Sequence, residues 1–129
     1  MSKFTISILT YTALDRAKEC IASVLKNSHD FRLILTANGN EAAYEYFRDI
    51  AVATKHVHIT AIRNRENLGF IPPNIAALNK CDTPYFVMLN DDAVVPPDWL
   101  DMMESQMLRD DGVALVGAQG CCCSLKPNL

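Results

Sequence analysis

The sequence predicts a three-layer α/β/α sandwich built on a mostly parallel sheet. Three observations carry that expectation. Apolar, β-branched runs alternate with stretches of helical periodicity along the chain. Most of those apolar runs end in a polar cluster rather than in a tight hairpin turn. The 129 residues, 50% of them hydrophobic and 21% charged, suffice for one domain around a single core. Strands joined through helices need right-handed crossovers, which make their neighbours parallel.

The first run, Phe4–Thr10 (FTISILT), reads as a strand. Thr12 with Asp15 three residues on reads as the opening of a helix, whose apolar stripe is Leu14, Ala17, Ile21, Val24 and Leu25. Phe31–Thr36 is a second strand, ended by the turn signal Asn38-Gly39. Glu41–Thr54 carries a helical stripe of Ala43, Phe47, Ile50 and Ala51. Val57–Ile62 is a third strand, followed by a polar loop at Arg63–Asn67. Pro73–Asn79 is a short helix with proline in its first turn, where a missing N–H costs little. Tyr85–Leu89 is a fourth strand, Asp98–Arg109 a helix bearing Leu100, Met103 and Met107, and Val113–Val116 a fifth strand.

Composition removes several functions. The net charge of −3 argues against a protein that grips nucleic-acid backbones. No apolar run approaches the ~18 residues of a membrane span. MSKFTISILTYT lacks the cleavage pattern of a signal peptide. The cysteines are Cys20, Cys81 and the run Cys121, Cys122 and Cys123, an odd number with no CxxC spacing. Reduced thiols in a cytoplasmic protein are the expectation, with the triple run acting as small apolar residues.

In parallel sheets ligands sit beyond the carboxyl ends of the strands. The clusters Tyr11-Thr12, Ala37–Asn40, Arg63–Gly69 and Asn90–Asp92 all follow strands, so they converge on one edge. Two readings of Asp91 and Asp92 stay open at this point. Adjacent carboxylates suit a divalent cation whose shell is completed by phosphate oxygens and water. They equally suit a turn feeding Pro96-Pro97. Gly69 permits a tight turn or close backbone approach to a ligand, and Asn67 can fix that turn or bind a hydroxyl. Arg63 and Arg65 can meet phosphate or stand solvated, and Asn74 can face the cleft or solvent. His56 and His58 read as surface or core residues rather than ligands, Trp99 as a packing anchor, and Met102, Met103 and Met107 as helix packing.

The stretches SILTY (7–11), ILTANGN (34–40), NRENLGF (64–70) and YFVMLNDDAVVPPDWL (85–100) together resemble the family 2 glycosyltransferases of the Rossmann-like GT-A fold, the rhamnosyl- and galactofuranosyl-transferase-like branch above all. The resemblance covers about residues 3–120. It implies a nucleotide-diphosphate-sugar site, with Thr10 and Tyr11 lining the nucleotide pocket and Asn67 and Gly69 flanking nucleotide or sugar. It puts Asn90-Asp91-Asp92 on the DXD motif. There Asp92 would bind Mn²⁺ or Mg²⁺ directly, with Asn90 and Asp91 near ribose, sugar or metal-bound water. Asn74 falls where the family has a polar residue facing the donor.

Two departures qualify the resemblance. The family's V-D-N/D-G-S pattern reads the base through its Asp, and that position here is Ala37, with Asn38 a candidate substitute. The family also continues beyond the strand matching Val113–Val116, through an acceptor-binding segment that carries the general base. The 129-residue chain is therefore expected to be a single donor domain without the acceptor half, and Asp98, Asp101 and Glu104 are not base candidates. An inverting, metal-dependent transferase acting on a glycan or lipid-linked acceptor is the leading expectation. A nucleotide-sugar-binding module or remnant without turnover is the alternative. Apolar surface left by a missing half leads to an expected homo-oligomer. A phosphoryl-accepting receiver domain needs acids after the first strand, where Thr10-Tyr11-Thr12 stands instead.

Overall fold

The computed structural model describes residues 2–27 and 29–117. Four parallel strands stand in the order β3-β2-β1-β4, namely β1 Phe4–Thr10, β2 Phe31–Asn38, β3 His58–Asn64 and β4 Tyr85–Asn90. Four helices follow them: α1 Leu14–Leu25, α2 Glu41–Ala53, α3 Ile71–Asn79 and α4 Trp99–Met107. The first two crossovers step outward from β1 to β2 to β3. The third returns across the sheet to place β4 on the other side of β1. Right-handed connections therefore put α1 and α2 on one face and α3 on the other, which gives the three expected layers.

Alternation along β1 explains the two faces. Phe4, Ile6 and Ile8 are buried in one cluster with Leu33 and Leu35 of β2, Cys20, Ile21 and Val24 of α1, and Ala43 and Phe47 of α2. Trp99 and Leu100 bring α4 into that same cluster. Between them on β1 lie Thr5 and Ser7, also buried but polar. Thr5 shares a 2.7 Å hydroxyl–hydroxyl bond with Thr83, just ahead of β4. One side of the sheet is thus a dry apolar layer, and the other buries hydroxyls that need partners.

The structure changes three expectations. Residues 113–117 form no strand: Val113 closes a turn onto the Asp110 carbonyl, and Leu115 is 89% exposed. Four apolar residues between Gly112 and Gly117 state no partner, and a strand exists only where another edge supplies its hydrogen bonds. The third strand runs two residues further than expected, because β2 continues to Asn38 and pairs Ala37 with Arg63 and Asn38 with Asn64. Thr12 is not the cap of α1; Ala13 holds that position without a side-chain hydrogen bond. Asn40 instead caps α2, accepting from Ala43 N at 3.0 Å, while its Nδ2 donates to the Tyr11 carbonyl at 2.7 Å. Cys121, Cys122 and Cys123 lie outside the described residues.

Candidate functional site

Strand order reverses at β1, so the gap between its carboxyl end and that of β4 is the switch point where α/β sheets hold ligands. Leu9 pairs with Asn90 there. A cleft of about 360 Å³ opens over this point, lined by Leu9, Tyr11, Thr12, Ala13, Asn38, Asn67, Gly69, Phe70 and Asp91. A second hollow of about 220 Å³ shares Leu9, Phe70 and Asp91 with it and adds Asn74, Met88, Leu89 and Asn90. A larger hollow of about 680 Å³ beside β4 and α4 is mainly apolar and has no charged group in its lining.

Most of the expected site residues meet at these two hollows, in different ways. Tyr11 is half exposed at the rim of the first. Thr10, next to it in the chain, is fully buried and lines neither hollow, its Oγ1 without a hydrogen-bond partner of ordinary length. Asn74 donates to the Phe70 carbonyl at 2.7 Å, which closes the turn into α3. Asp92 is exposed and lines neither hollow. The acidic pair forms a turn: Ala93 N donates to the Asn90 carbonyl at 3.2 Å, so Asp91 and Asp92 are its two central residues. That turn directs one carboxylate into the cleft and leaves the other in solvent.

The loop between β3 and α3 is fixed by asparagines. Asn38 is 2% exposed and donates from Nδ2 to Asn67 Oδ1 and to the Gly69 carbonyl, both at 2.9 Å. Its Oδ1 accepts from Leu68 N at 3.0 Å and from Asn64 Nδ2 at 3.2 Å. Asn67 Oδ1 also accepts from Gly69 N at 2.9 Å. Gly39, at φ 80°, runs so close to this loop that a Cβ there would stand 2.6 Å from Asn67 N. Asn40 and Asn64 fall within the polar clusters read from the sequence but were not singled out there; the available signal was the run Asn38-Gly39-Asn40 with a further Asn at the end of the next strand.

The acidic turn is fixed from α1. Cys20 Sγ donates to the Asn90 carbonyl at 3.4 Å, and Ser23 Oγ accepts from Val95 N at 3.1 Å while donating to the Cys20 carbonyl at 2.7 Å. Both ends of the 90–95 loop are therefore tied to one helix. Neither residue was expected at the site, although Ser23 interrupts the apolar stripe one turn after Cys20. Burial, reinforced by the charges of Asp91 and Asp92, pushes the Cys20 thiol up to about 11, so it stays protonated at neutral pH.

Burial raises the Asp91 carboxyl above the usual range; the nearby Thr10 hydroxyl opposes this, the Asp92 charge adds to it, and Arg16 pulls it down. The folded protein thus holds this proton to a higher pH than the unfolded chain does. Stability falls as pH rises through the window between the two values, and the full cost of the ionised group stands at neutrality. We predict that Asp91→Asn raises Tm at pH 7, and that the gain shrinks as pH falls to the ordinary carboxylate range. Paired thermal melts across pH check this; an equal gain at low pH contradicts it.

Other charged candidates point elsewhere. Arg63 bonds Glu41 at 2.8 Å and lies over the Tyr44 ring, while Arg65 is exposed. Glu104 pairs with Lys3 at 2.9 Å, at the amino end of the sheet and away from the cleft, and Asp101 pairs with His29 at 2.7 Å. His56 and His58 are exposed. Among the described residues no three His, Cys, Asp or Glu side chains gather into a metal cage. The acidic turn fits a hard divalent cation only as a partial oxygen shell, completed by ligand oxygens and water. No helix among the described residues is long and apolar enough to cross a membrane.

Comparison with known proteins bears on the fold and the family. The mannosyltransferase PcManGT of Pyrobaculum calidifontis, solved with GDP-Man and Mn²⁺, superposes with a TM-score of 0.76 at 15% identity, over 82% of this chain and 32% of that one. S. aureus TarS 1–349 superposes at 0.68 with 14% identity, over 81% and 32%; TarS 1–349 has also been solved with UDP. The fold is therefore that of the GT-A glycosyltransferases. The sequence model of glycosyl transferase family 2 matches residues 5–127, and the chain belongs to that family. A teichoic acid poly(glycerol phosphate) polymerase of Staphylococcus epidermidis is 30% identical over 93 residues, 71% of this chain and 13% of that protein. An uncharacterized glycosyltransferase of Haemophilus influenzae is 22% identical over 116 residues, 88% of this chain and 35% of that protein. The chain thus spans about a third of one relative and about an eighth of the other.

Proposed function

We propose that the strand-end cleft binds a nucleotide-diphosphate sugar with a divalent cation, and that the chain serves inverting transfer of the sugar to a glycan or lipid-linked acceptor. The observation that carries this reading is the single edge at which the acidic turn, the asparagine-held loop and Tyr11 meet over the switch point. Tyr11, Asn67 and Gly69 flank the nucleotide, and Thr10, next to Tyr11, supports that wall. Asn90 and Asp91 face ribose or sugar, and Asn74 borders the donor from the second hollow. Asp92 holds Mn²⁺ or Mg²⁺, its exposure leaving room for phosphate oxygens and water. Bound there, the cation neutralises the diphosphate leaving group. The Mn²⁺ and GDP-Man of the Pyrobaculum structure and the UDP of the TarS complex support this choice of ligand classes.

Calorimetry with UDP-, dTDP- and GDP-sugars, with and without Mn²⁺, tests the reading. Binding of at least one donor that strengthens with metal is expected; silence under every condition sinks it. Release of nucleotide diphosphate by the purified chain separates a transferase from a module that binds without turnover.

A further inference from the structure

The amide of Asn38 has no hydrogen-bonding capacity left. Both Nδ2 hydrogens and both Oδ1 lone pairs are committed, and two of the four partners are backbone groups. Those two fix the amide's orientation, because the Gly69 carbonyl can only accept and the Leu68 N–H can only donate. A flipped amide would set oxygen against oxygen and N–H against N–H. The side chain lines the cleft, yet nothing on it remains to meet a base. Ala37, beside it, is fully buried in the apolar cluster, and its side chain offers no polar atom.

We infer that Asn38 is a positioning residue: it clamps the 64–69 loop onto the end of β2, and selectivity among nucleobases is decided elsewhere in the cleft. The inference rests on the donor-site reading for its binding consequences, but the clamp itself does not. The loop walls the cleft through Asn67 and Gly69, so loosening it weakens every donor alike. A base-reading residue behaves differently, since its replacement changes the ratio between donors.

Asn38→Asp separates the two. It preserves shape but removes both donated bonds, and it sets a carboxylate against Asn67 Oδ1 and the Gly69 carbonyl. Were this position a base reader, exchanging its amide for an acceptor-only carboxylate would change the ratio of affinities between bases. We expect instead that Asn38→Asp weakens UDP-, dTDP- and GDP-sugars by a common factor of about ten or more. In Asn38→Ala, which removes all four bonds, amide exchange at Leu68 and Gly69, followed by NMR, rises by a similar factor while the β1 amides keep their protection. Asn67→Ala removes one clamp bond from the exposed side, is read at Leu68 alone because Asn67 Oδ1 itself accepts from Gly69 N, and serves if the Asn38 variants do not fold. A changed ratio of affinities among the three donors in Asn38→Asp, or unchanged exchange at Leu68 and Gly69 in Asn38→Ala, overturns the inference. If no donor binds the unaltered chain, the donor-site reading fails while the exchange measurement still decides the clamp.

Discussion

Asp92→Ala is expected to lower the affinity for a nucleotide-diphosphate sugar in Mn²⁺ by about 100-fold, and to leave the residual binding indifferent to metal. The size follows from the sparse protein shell. With no third acidic, His or Cys ligand gathered at the turn among the described residues, loss of one carboxylate would remove a large share of the hold on the cation that the proposed function assigns to this turn. Stability should hardly change, because Asp92 is exposed in a turn closed by backbone, and such substitutions stay within about 0.5 kcal/mol. Calorimetry beside a thermal melt therefore separates lost ligation from lost folding. A variant that keeps the metal dependence of the parent would remove Asp92 from the site and return the acidic pair to a turn.

The largest stability effect near the cleft is expected from Gly39→Ala. At φ 80° an alanine already costs about 1–2 kcal/mol. Its Cβ would also stand 2.6 Å from Asn67 N and 2.9 Å from Glu66 C, backbone atoms that cannot rotate away. The loop must shift, which adds about 1–3 kcal/mol of overpacking and pulls at the Asn38 clamp. Gly69→Ala is the internal control. It shares the positive φ, at 78°, but nothing lies within 4 Å of the added methyl, so only the conformational cost applies. Denaturant unfolding should therefore rank Gly39→Ala well below Gly69→Ala in stability. Equal losses would show that the close approach of the two loops carries no weight.

How far the sequence reaches can be seen at particular residues. Phe4, Ile6 and Ile8 alternate with Thr5 and Ser7, and that period alone announces a strand with two different faces. The stripe of α1 and the polar clusters after strands were legible for the same reason: period and turn chemistry are local. Val113–Val116 had the composition of a strand and is not one, since pairing depends on what stands beside it. Asn38 and Asn67 stood out in the sequence as candidates, and both line the cleft, but the sequence could not distinguish an amide with open hydrogen-bonding capacity from one already saturated. Cys20 and Ser23 were legible as helix positions and invisible as supports of the acidic turn, seventy residues away.

By itself, then, the sequence determined the α/β alternation, the parallel sheet and the edge on which its polar clusters gather, because each follows from local periodicity and the handedness of crossovers. Its ordered motifs also carried the family. Only the tertiary structure decided which of those polar groups remain available. Asn38 is consumed by the loop it holds, Arg63 is turned to Glu41 and Glu104 to Lys3, while Asp91 faces the cleft and Asp92 faces solvent. The reason is physical: a side chain's chemistry is set by its type, but its availability is set by the partners that folding brings within hydrogen-bonding distance.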